Sequence, residues 1–589
     1  MHYIQRMHIP ASHTASGLPW VLRADDERVP LAMAQQHGIS ELLAGILAGR
    51  GVALEDVPHF LNPSLREYLP DPFHLLDMGK ATQRFAAALE KGERIAVFGD
   101  YDVDGATSTA LLQHYFGQLG VGIMPYIPDR MKEGYGPTIG AFETLINAGA
   151  TLLVTVDCGT LAHEPIAYAR SRGVDVIVLD HHLSSGALPE AYAVVNPNRV
   201  DETSAHTNLA AVGVTFLTLI ALNKTLRDAG YFTARREPNL LAMLDMVALG
   251  TVCDVMPLTG LNRAFVTQGL KVLAQRNNVG LAALADASRF EETPGVYHLG
   301  FLLGPRINAG GRVGEAGLGV QLLTTQDADH ARSLATQLDR YNAERQAIEV
   351  SVLEAAMAQA ESQANAPVML LAGEGWHAGV IGIVAGRIKE KYQRPVAVVA
   401  LDAGQGKASA RSVPGADFGA AVHAAHALGL ITTGGGHAMA AGFSLTQAQL
   451  PGLHAFLIQR MEAAVGAYNE SRVKKLDGWI ACPSATLELL DELALAGPYG
   501  LGHPGPRFAI RHAQIVRTDT LKEKHIRVIL TDPTLGGRLT AIAFNAEGTP
   551  LGQWLKTAKT LHLSGELKRN SWQGQDSAQF IIDDAAKTA

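Results

Sequence analysis

Short runs of apolar residues alternate with helical stretches between about residues 80 and 260. The runs RIAVFGD, GIMPYI, TLLVTVD and DVIVLD are mostly apolar, which is typical of strands that are buried on both faces. The intervening residues predict helices from about Ser108 to Gln118, from Ala141 to Ala148 and over 164–172, and residues 208–249 are mostly helical in pattern. Because strands that alternate with helices form parallel sheets, this region predicts an α/β domain with a parallel sheet.

A long stretch with neither glycine nor proline follows, between Thr324 and Ala366. Its apolar residues recur at spacings of three, four or seven, which predicts one amphipathic helix of roughly 40 residues and about 60 Å. A helix of this length is expected to connect two domains. After it, the strand PVMLLAG, the helix HAGVIGIVAGRIKEKY and the strand PVAVVALD predict a second α/β unit, followed by a glycine-rich turn, TTGGGHAMAAGFS.

Beyond about residue 470 the pattern changes to strict alternation of polar and apolar residues. It is clearest in HIRVILTD, RLTAIAFN, TLHLSGELK and QFIIDD, and it predicts a small β-barrel or sandwich, of which an OB-like barrel is the commonest nucleic-acid-binding version. The predicted organisation is therefore an N-terminal segment (1–70), a catalytic domain (71–325), a connecting helix (326–366), a second α/β domain (367–465) and a barrel with a tail (466–589).

Composition and charge narrow the possible functions. The 589 residues are 47% apolar and 18% charged, which is ordinary for a soluble globular protein. The net charge of -8 gives no global basic signal, so contact with a polyanion would need a local patch or bound cations. Three cysteines without a CxxC pair argue against structural zinc and favour a reducing compartment, so we expect a cytoplasmic protein. The apolar runs are too short to span a bilayer, and no membrane role is expected.

Acidic residues and imidazoles follow three of the predicted strands, and a fourth acidic segment follows an apolar helix. The residues are Asp100, Asp102, Asp104, Asp157, Asp180, His181, His182 and Asp254. The carboxyl ends of parallel strands meet at one edge of a sheet, so these side chains should converge there. Taken singly, an aspartate after a strand is usually a helix cap and a His-His pair is usually a surface feature. Four such segments at one edge are harder to explain in that way.

A carboxylate cluster of this density is stable only if cations neutralise it. Mixed carboxylate and imidazole ligands suit Mn²⁺ or Mg²⁺ better than structural zinc. Two such ions about 3.5–4 Å apart are the usual device for hydrolysing phosphate esters, where one generates hydroxide and both stabilise the attacking and leaving oxygens. The sequence therefore predicts a two-metal phosphodiesterase site.

Polar residues in glycine-rich segments predict phosphate binding, because arginine forks and hydroxyls bind phosphate well. The segment GPRINAGGRVGEAG, in particular, contains too much glycine to be predicted as a helix and is expected to be a loop. Each segment alone is a weak signal, since surface arginines near glycine are common. The candidate residues are Arg130, Tyr135, Arg306, Asn308, Arg312, Ser409, Arg411 and His437.

The segments GDYDVDG, DCG, LDHH and GTVCDVMPL, in this order, resemble the DHH phosphoesterase superfamily. The later segments DRMKEGYG, GPRINAGGR, SARSVPG and GGGHAMAAGF resemble its bacterial branch of exonucleases specific for single-stranded DNA. The resemblance covers nearly the whole chain. It implies a DHH domain, a long helix, a DHH-associated domain and an OB-fold, and hydrolysis from the 5′ end to 5′-mononucleotides with Mn²⁺ or Mg²⁺, in DNA repair and recombination.

Motif by motif, the resemblance also implies roles for individual residues. The implied metal ligands are Asp102, Asp104, Asp157, His181 or His182, and Asp254, with Asp100 and Asp180 in direct or supporting contact. Arg130, Ser409 and Arg411 match positions that hold the 5′-terminal phosphate, and Arg306 matches one near the scissile phosphate. Gly310 and Cys253 replace alanines that are common in the family, and neither replacement removes a ligand.

Partners follow from the resemblance as well: single-stranded DNA, a single-strand DNA-binding protein and a RecQ-type helicase, with a monomeric enzyme. On the barrel, a cationic patch is expected to attract the strand electrostatically, through Arg507, Arg511, Arg517, Lys522, Lys524 and Arg527. Two alternatives stay open. One is a phosphodiesterase for oligoribonucleotides or cyclic dinucleotides, which would have less use for the barrel. The other is a catalytically silent DNA-binding scaffold, which would not need to keep its ligands.

Overall fold

The computed structural model describes residues 8–588 except 25, 131, 185, 291 and 573. The chain forms two compact units. Unit 1 combines Met1–Leu69, Pro257–Thr267 and Arg472–Ala589, and unit 2 combines Pro70–Met256 and Gln268–Ser471. The five-domain division stays a prediction. Within the described residues, no helix is both long enough and apolar enough to cross a membrane.

The strands of the described residues are numbered in chain order. They are β1 (His8–Ile9), β2 (Trp20–Leu22), β3 (Ile95–Gly99), β4 (Met124–Tyr126), β5 (Leu152–Val156), β6 (Asp175–Leu179), β7 (Ala193–Val195), β8 (Met369–Glu374), β9 (Val396–Asp402), β10 (Gln405–Arg411), β11 (Thr433–His437), β12 (Ala440–Thr446), β13 (Lys474–Leu476), β14 (Gly478–Ile480), β15 (Phe508–Leu521), β16 (His525–Asp532), β17 (Gly536–Ala543), β18 (Thr560–Trp572) and β19 (Gln575–Lys587).

The α-helices are numbered in the same way. They are α1 (Arg28–His37), α2 (Glu41–Gly49), α3 (Val57–Leu61), α4 (Leu65–Tyr68), α5 (Met78–Lys91), α6 (Val103–Gln118), α7 (Ile139–Asn147), α8 (His163–Ser171), α9 (Ala211–Asp228), α10 (Leu244–Cys253), α11 (Gly260–Ala274), α12 (Val279–Ala287), α13 (Gly304–Val313), α14 (Leu318–Thr324), α15 (Ala328–Ser362), α16 (Ile381–Tyr392), α17 (Phe418–Ala427), α18 (Leu450–Ser471), α19 (Leu487–Leu495) and α20 (Pro550–Thr557). A π-helix, His298–Leu303, leads directly into α13.

Unit 2 contains a five-stranded parallel sheet in the order β4-β3-β5-β6-β7, so the predicted parallel α/β fold is confirmed. Every residue of β3 and β5 is buried, which explains their nearly continuous apolar sequences. After β3 the chain adds β4 on one side and β5 on the other. The carboxyl ends of β3 and β5 therefore flank the point where the winding changes direction, which is where such sheets usually form a binding crevice.

A second sheet in unit 2 has the order β11-β12-β10-β9-β8, with β8 and β9 parallel and the other pairs antiparallel. The predicted turn TTGGGHAMAAGFS is wrong, because Thr433–His437 and Ala440–Thr446 pair as a hairpin. Gly434 and Gly436 serve close packing, since a Cβ on Gly434 would lie 2.7 Å from the Cβ of Phe443 and one on Gly436 would lie 2.5 Å from the carbonyl oxygen of Ala440. The helix predicted from His377 begins at Ile381, after a turn in which His377 Nδ1 accepts a hydrogen bond from Gly379 N.

The predicted long helix is present as α15, with 35 residues and a length of about 52 Å. It begins after Asp327, whose carboxylate accepts hydrogen bonds from the backbone of the first turn. Its first half packs against α12 and α13, and its second half packs against β8 and α16. The helix thus links the two sheets of unit 2.

The segment GPRINAGGR is also helical, so its prediction as a loop is wrong. Residues Gly304–Val313 form α13, which packs against α15. A Cβ on Gly310 would lie 2.8 Å from the carbonyl oxygen of Glu315 and 3.4 Å from Leu338. Glycine is needed for this close approach, and the packing outweighs the low helix propensity of glycine.

In unit 1, strands β15 to β19 form a closed barrel, because β15 pairs with β18 as well as with β16. The predicted small β-barrel is confirmed. Alternate residues of each strand point inward and form one core that includes Phe508, Val528 and Phe580. A separate sheet, β1-β2-β13, joins the start of the described chain to the segment just before the barrel.

Candidate metal centre

The predicted acidic residues meet at the carboxyl edge of the parallel sheet. Asp100, Asp157 and Asp180 each follow the last residue of β3, β5 and β6, which are adjacent strands. All three are at most 3% exposed. Three strand ends therefore place three carboxylates in a buried crevice, as the sequence predicts.

The first turn of α6 adds two more carboxylates. Asp102 caps the helix and accepts hydrogen bonds from the backbone of Asp104 and Gly105. Gly105 lets the turn lie against the strand end, since a Cβ there would be 2.3 Å from the carbonyl oxygen of Asp100. This early capped turn explains why α6 begins five residues before the predicted Ser108.

Asp104 is held rigidly from the opposite side. Its two carboxylate oxygens accept hydrogen bonds from the backbone of Ala211 (2.6 Å) and Val212 (2.9 Å), at the start of α9. The N-terminus of a helix favours negative charge. Burial, together with the charge of Asp102, nevertheless raises the pKa of Asp104 to about 7. The surrounding protein therefore only partly compensates the charge of this carboxylate.

His181 lies at the centre of the cluster. Its Nε2 atom is 3.2 Å from Asp157 Oδ1, 3.5 Å from Asp254 Oδ2 and 3.9 Å from Asp104 Oδ2. Asp254 reaches the site because it ends α10, and Asp157 reaches it with a left-handed backbone (φ 61°). Such a conformation is uncommon outside glycine and is frequent at functional sites.

Asp180 has a different role from the other carboxylates. Its oxygens accept hydrogen bonds from the backbone of Thr160, His181 and His182, and from His182 Nδ1 at 2.8 Å. Although burial opposes ionisation, the hydrogen bond and charge of His182 hold the pKa of Asp180 below its usual range. The geometry makes Asp180 a support for the His-His pair, and its direct contact with a metal stays a prediction.

The side chains form three overlapping groups that could each hold a cation. The groups are Asp157 with His181 and His182, Asp104 with His181 and Asp254, and Asp100 with Asp102 and Asp157. Within each group, the donor atoms lie within 4.8 Å of one another. Because Asp157 and His181 each belong to two groups, the arrangement suits neighbouring ions that share ligands.

Buried donor atoms without partners support a cation site. Asp100 Oδ1, His181 Nε2 and Asp254 Oδ2 are buried and have no hydrogen-bond partner among the described residues. Burial and the neighbouring carboxylates raise the pKa of Asp100, Asp157 and Asp254 well above their usual range. Burial and the charge of His182 lower the pKa of His181 to about 4, which leaves a neutral imidazole. Divalent cations would satisfy these atoms and neutralise the carboxylates.

Asparagines on a fourth strand end were missed by the sequence reasoning. Asn196 is fully buried just after β7 and donates hydrogen bonds to Thr160 Oγ1 (2.9 Å) and the His182 carbonyl (2.8 Å). Asn198 donates to the His181 carbonyl at 2.6 Å. The signal was the sequence VVNPN, in which polar residues follow a short apolar run, as in the three strands that were recognised.

A cationic pocket adjoins the carboxylate cluster. Burial, and then the positive charge of Arg130, lower the pKa of Arg411. Burial and the charges of Arg130, Arg345 and Arg411 lower the pKa of Arg312 to about 10, while Asp102 opposes that shift. These arginines are thus close to one another, and Arg411 also donates to Ser409 Oγ at 3.2 Å. Concentrated positive charge of this kind suits a phosphate group.

Arg306 and Arg312 occupy different sides of α13. Six residues separate them, so their side chains differ by about 120° in direction around the helix. Arg306 pairs with Asp339 of α15 at 2.9 Å and donates to the Leu302 carbonyl. Arg312 donates to the Gly379 carbonyl and lies in the cationic pocket. Arg312 is therefore better placed near the cluster than Arg306, and Asn308 is half-buried on the same helix.

Two further candidates meet at His182. The Tyr135 hydroxyl lies 3.1 Å from His182 Nδ1 and donates to the Asp157 carbonyl at 3.2 Å. From the second sheet, the His437 ring stacks near His182, with 6.4 Å between ring centroids. Tyr135 and His437 therefore border the cluster, and their contact with phosphate stays a prediction.

The cationic patch predicted on the barrel is smaller than expected. Arg507 pairs with Glu566 and Asp583, and both Arg517 and Arg527 pair with Asp519. Arg511 lies over the ring of Trp479 at 4.2 Å. Lys522 and Lys524 are exposed in the turn before β16. Carboxylates thus neutralise three of the six cationic residues. The sequence did not predict these ion pairs, because they depend on which strands lie next to each other.

Comparison with known proteins places this geometry in a family. Models of the DHH family N-terminal domain, the DHHA1 domain and the RecJ OB domain match residues 94–251, 362–463 and 476–584. The chain is 37% identical over 561 residues to the single-stranded-DNA-specific exonuclease RecJ of Escherichia coli, covering 92% of this chain and 95% of that protein. It is 36% identical over 518 residues to the protein of the same name from Thermus thermophilus, covering 86% and 71%.

A solved structure agrees with these similarities. The crystal structure of RecJ in complex with Mn²⁺ from Thermus thermophilus matches with a TM-score of 0.81 and 31% identity, covering 97% of this chain and 80% of that chain. The similarity extends over the parallel sheet, the second sheet and the barrel. The chain therefore belongs to the RecJ family within the DHH superfamily.

Proposed function

We propose that this protein is a metal-dependent exonuclease that degrades single-stranded DNA from the 5′ end to 5′-mononucleotides, in DNA repair and recombination. The observation that carries the proposal is the set of three overlapping ligand groups, in which Asp157 and His181 each belong to two. The two relatives are exonucleases specific for single-stranded DNA, and the solved relative is a complex with Mn²⁺. Retention of the whole donor set argues against a silent scaffold.

Two cations, Mn²⁺ or Mg²⁺, would be held by the cluster. Asp104, His181 and Asp254 would hold one, and Asp100, Asp102 and Asp157 would hold the other, with His182 completing the set. When bound, such ions polarise the phosphate oxygens and lower the pKa of water. Asp180 would orient the His182 imidazole, and Asn196 and Asn198 would fix the backbone of both histidines, through the hydrogen bonds described above. The role of the chain in this step is to hold the donor atoms rigidly.

The cationic pocket would bind the 5′-terminal phosphate. Arg130, Arg411 and Ser409 supply charge and a hydroxyl, and Arg312 belongs to the same pocket and is also influenced by the charge of Asp102. We propose that Arg312 stabilises negative charge on the scissile phosphate, in place of Arg306. Arg312→Ala should then reduce turnover by about 100-fold, whereas Arg306→Ala should act mainly on stability. Equal turnover losses in both variants would contradict this choice.

Selectivity for an unpaired strand would follow if the substrate reaches the cluster through a cleft too narrow for a duplex. His437 of the second sheet lies near His182, with 6.4 Å between ring centroids, and Arg312 donates to the Gly379 carbonyl, so the elements on either side of the cluster are close together. Efficient digestion of a blunt duplex without a helicase would contradict this explanation.

The test is digestion of one single-stranded DNA that carries a label at its 5′ end in one tube and at its 3′ end in another. With Mn²⁺ or Mg²⁺, mononucleotide should be released at once from the 5′ label only, and EDTA should abolish release. Asp157→Asn should be inactive, whereas Asp228→Asn, which changes an exposed carboxylate paired with Lys224, should retain full activity. Cleavage of dinucleotides without digestion of the long strand would favour the short-oligonucleotide phosphodiesterases instead.

Location and partners are also part of the proposal. We expect a monomeric cytoplasmic enzyme that works with a single-strand DNA-binding protein and a RecQ-type helicase. These expectations rest on the resemblance. Co-sedimentation of the purified proteins would test the partners, and the sedimentation coefficient of the enzyme alone would test the monomer.

A further inference from the structure

Two exposed aromatic rings lie at the π-helix that precedes α13, Tyr297 directly before its first residue and Phe301 within it. Tyr297 is 60% exposed and Phe301 is 69% exposed. Their rings stack, with centroids 5.3 Å apart and an angle of 19° between the planes. The catalytic cluster and the cationic pocket described above do not include them. Exposed apolar side chains that form a contiguous patch often mark a binding site, because water solvates such a surface poorly.

The exposure of these rings does not come from poor packing of the segment. The other side of the π-helix is well buried, with Leu299 and Leu303 fully covered and the ring of His298 packed on Phe290 at 4.5 Å. The segment is thus firmly attached, and its geometry directs Tyr297 and Phe301 outward as a pair. π-helical turns occur frequently at functional sites.

The segment that carries the pair packs against the residue next to a candidate metal ligand. Cys253 Sγ donates to the Leu299 carbonyl at 3.5 Å, and a Cβ on Gly304 would lie 2.3 Å from Cys253 Sγ. Cys253 is the last residue of α10, and the next residue is the candidate ligand Asp254. The aromatic pair therefore lies on the element that packs directly against the helix end carrying Asp254.

The same helical segment also leads to the cationic pocket. Eleven residues separate Phe301 from Arg312, which corresponds to roughly 16 Å along the helix. A stacked strand advances about 3.4 Å per nucleotide, so this distance spans about five nucleotides, and fewer if the strand is extended. A strand whose 5′ phosphate is in the pocket would thus reach the aromatic pair a few nucleotides further on.

The size of the patch favours bases over a protein partner. A fully buried aromatic side chain contributes about 150–250 Å², so two partly exposed rings offer far less than the roughly 800 Å² per partner of a stable protein interface. Two stacked rings match the face of a base, and base–aromatic stacking is tolerant of sequence. We propose that Tyr297 and Phe301 form a stacking platform for the unpaired bases of the substrate strand, a role that rests on the proposed function.

The experiment compares 5′-phosphorylated DNA of two and of twenty nucleotides. The double variant Tyr297→Ala/Phe301→Ala should raise the KM for the long strand roughly ten-fold or more relative to the KM for the dinucleotide, which is too short to reach the platform even when it is extended. Tyr192→Ala, which removes an exposed aromatic ring at the amino end of β7, should leave both values unchanged. Phe301→Trp should retain the wild-type ratio, because it keeps an aromatic face.

A second measurement uses the wild-type protein alone, so that it does not depend on the folding of a variant. With EDTA present, 2-aminopurine would be moved along the strand one position at a time, and its fluorescence should change most near the position that reaches the platform. An unchanged KM ratio in the double variant, or a fluorescence profile that is flat beyond the terminal nucleotides, would overturn the platform. If the wild-type protein does not digest the long strand, the proposed function fails first, and the two failures are therefore distinguishable.

Discussion

Replacing Gly250 by alanine should displace two candidate ligands at once. Gly250 lies in α10 where this helix crosses α6 and α9. An added Cβ would lie 2.5 Å from Thr107 Oγ1, 2.7 Å from Val212 Cγ1 and 3.0 Å from Asp104 Oδ1. The residue that follows this helix is Asp254, whose carboxylate shares a ligand group with Asp104. Any shift of α10 therefore changes the distance between two donors of one cation.

The magnitude follows from these distances. Ordinary van der Waals contact begins at 3.4 Å, so α10 must move by about 1 Å to accept the methyl group. Overpacking of this kind costs about 1–3 kcal/mol, and the higher helix propensity of alanine returns about 1 kcal/mol. The net loss of stability should thus be about 0–2 kcal/mol. A misplacement of about 1 Å at a reacting centre can reduce turnover by about 100-fold.

The assay pairs thermal unfolding with turnover on labelled single-stranded DNA. Gly250→Ala should lose at most a few degrees in Tm and about 100-fold in kcat. The control is Gly117→Ala in α6, where an added Cβ meets nothing within 4 Å, so its stability should rise slightly and its turnover should not change. Wild-type turnover in Gly250→Ala would refute the placement of Asp104 and Asp254 in one rigid site.

Three further predictions concern other parts of the chain. In unit 1, the fully buried side chain of Arg263 donates hydrogen bonds to the carbonyls of Phe60, Ala496 and Pro498. Arg263→Met should therefore lower the free energy of unfolding, measured with urea, by about 3–5 kcal/mol. A loss below about 1 kcal/mol would contradict this role. Burial raises the pKa of Asp245 to about 6, so the stability that its protonated form contributes is lost as the pH rises through 6. Asp245→Asn should therefore gain about 1.5 kcal/mol relative to wild type between pH 5 and pH 8, and a pH-independent difference would argue against a buried ionisation. A Cβ on Gly382 would lie 3.0 Å from Ser409 Oγ and 3.3 Å from Arg411 Nη2. Because these two side chains belong to the cationic pocket, Gly382→Ala should raise the KM for 5′-phosphorylated strands several-fold. Gly386→Ala, one turn later, should leave the KM unchanged, because a Cβ there meets no atom within 4 Å.

The sequence was sufficient to predict the carboxylate cluster because its cause is short-range. Strands such as β3 and β5 are apolar on both faces, and a polar residue directly after each of them must lie at the sheet edge. Asp100 and Asp157 follow this rule without any knowledge of tertiary contacts. The convergence of Asp254 was harder to predict, because it depends on how α10 packs against α6 rather than on a strand end.

The glycine-rich segments were predicted wrongly for one common reason. Gly310 in α13 and Gly434 in β11 reduce local propensity, yet each leaves room for a neighbouring backbone or side chain. This benefit appears only when the neighbouring elements are packed together. The packing then outweighs the low helix and strand propensity of glycine. The different surroundings of Arg306 and Arg312 could not be inferred either, because side-chain direction depends on the segment being a helix.

The most direct test of the central claim is Mn²⁺ binding to the purified protein, measured by isothermal titration calorimetry for wild type and Asp157→Asn. Because Asp157 belongs to two of the three ligand groups, the account predicts two Mn²⁺ ions per wild-type chain and the loss of at least one in the folded variant. Absence of Mn²⁺ binding to wild type, or two ions bound with unchanged affinity by Asp157→Asn, would contradict the assignment of this cluster as the metal centre.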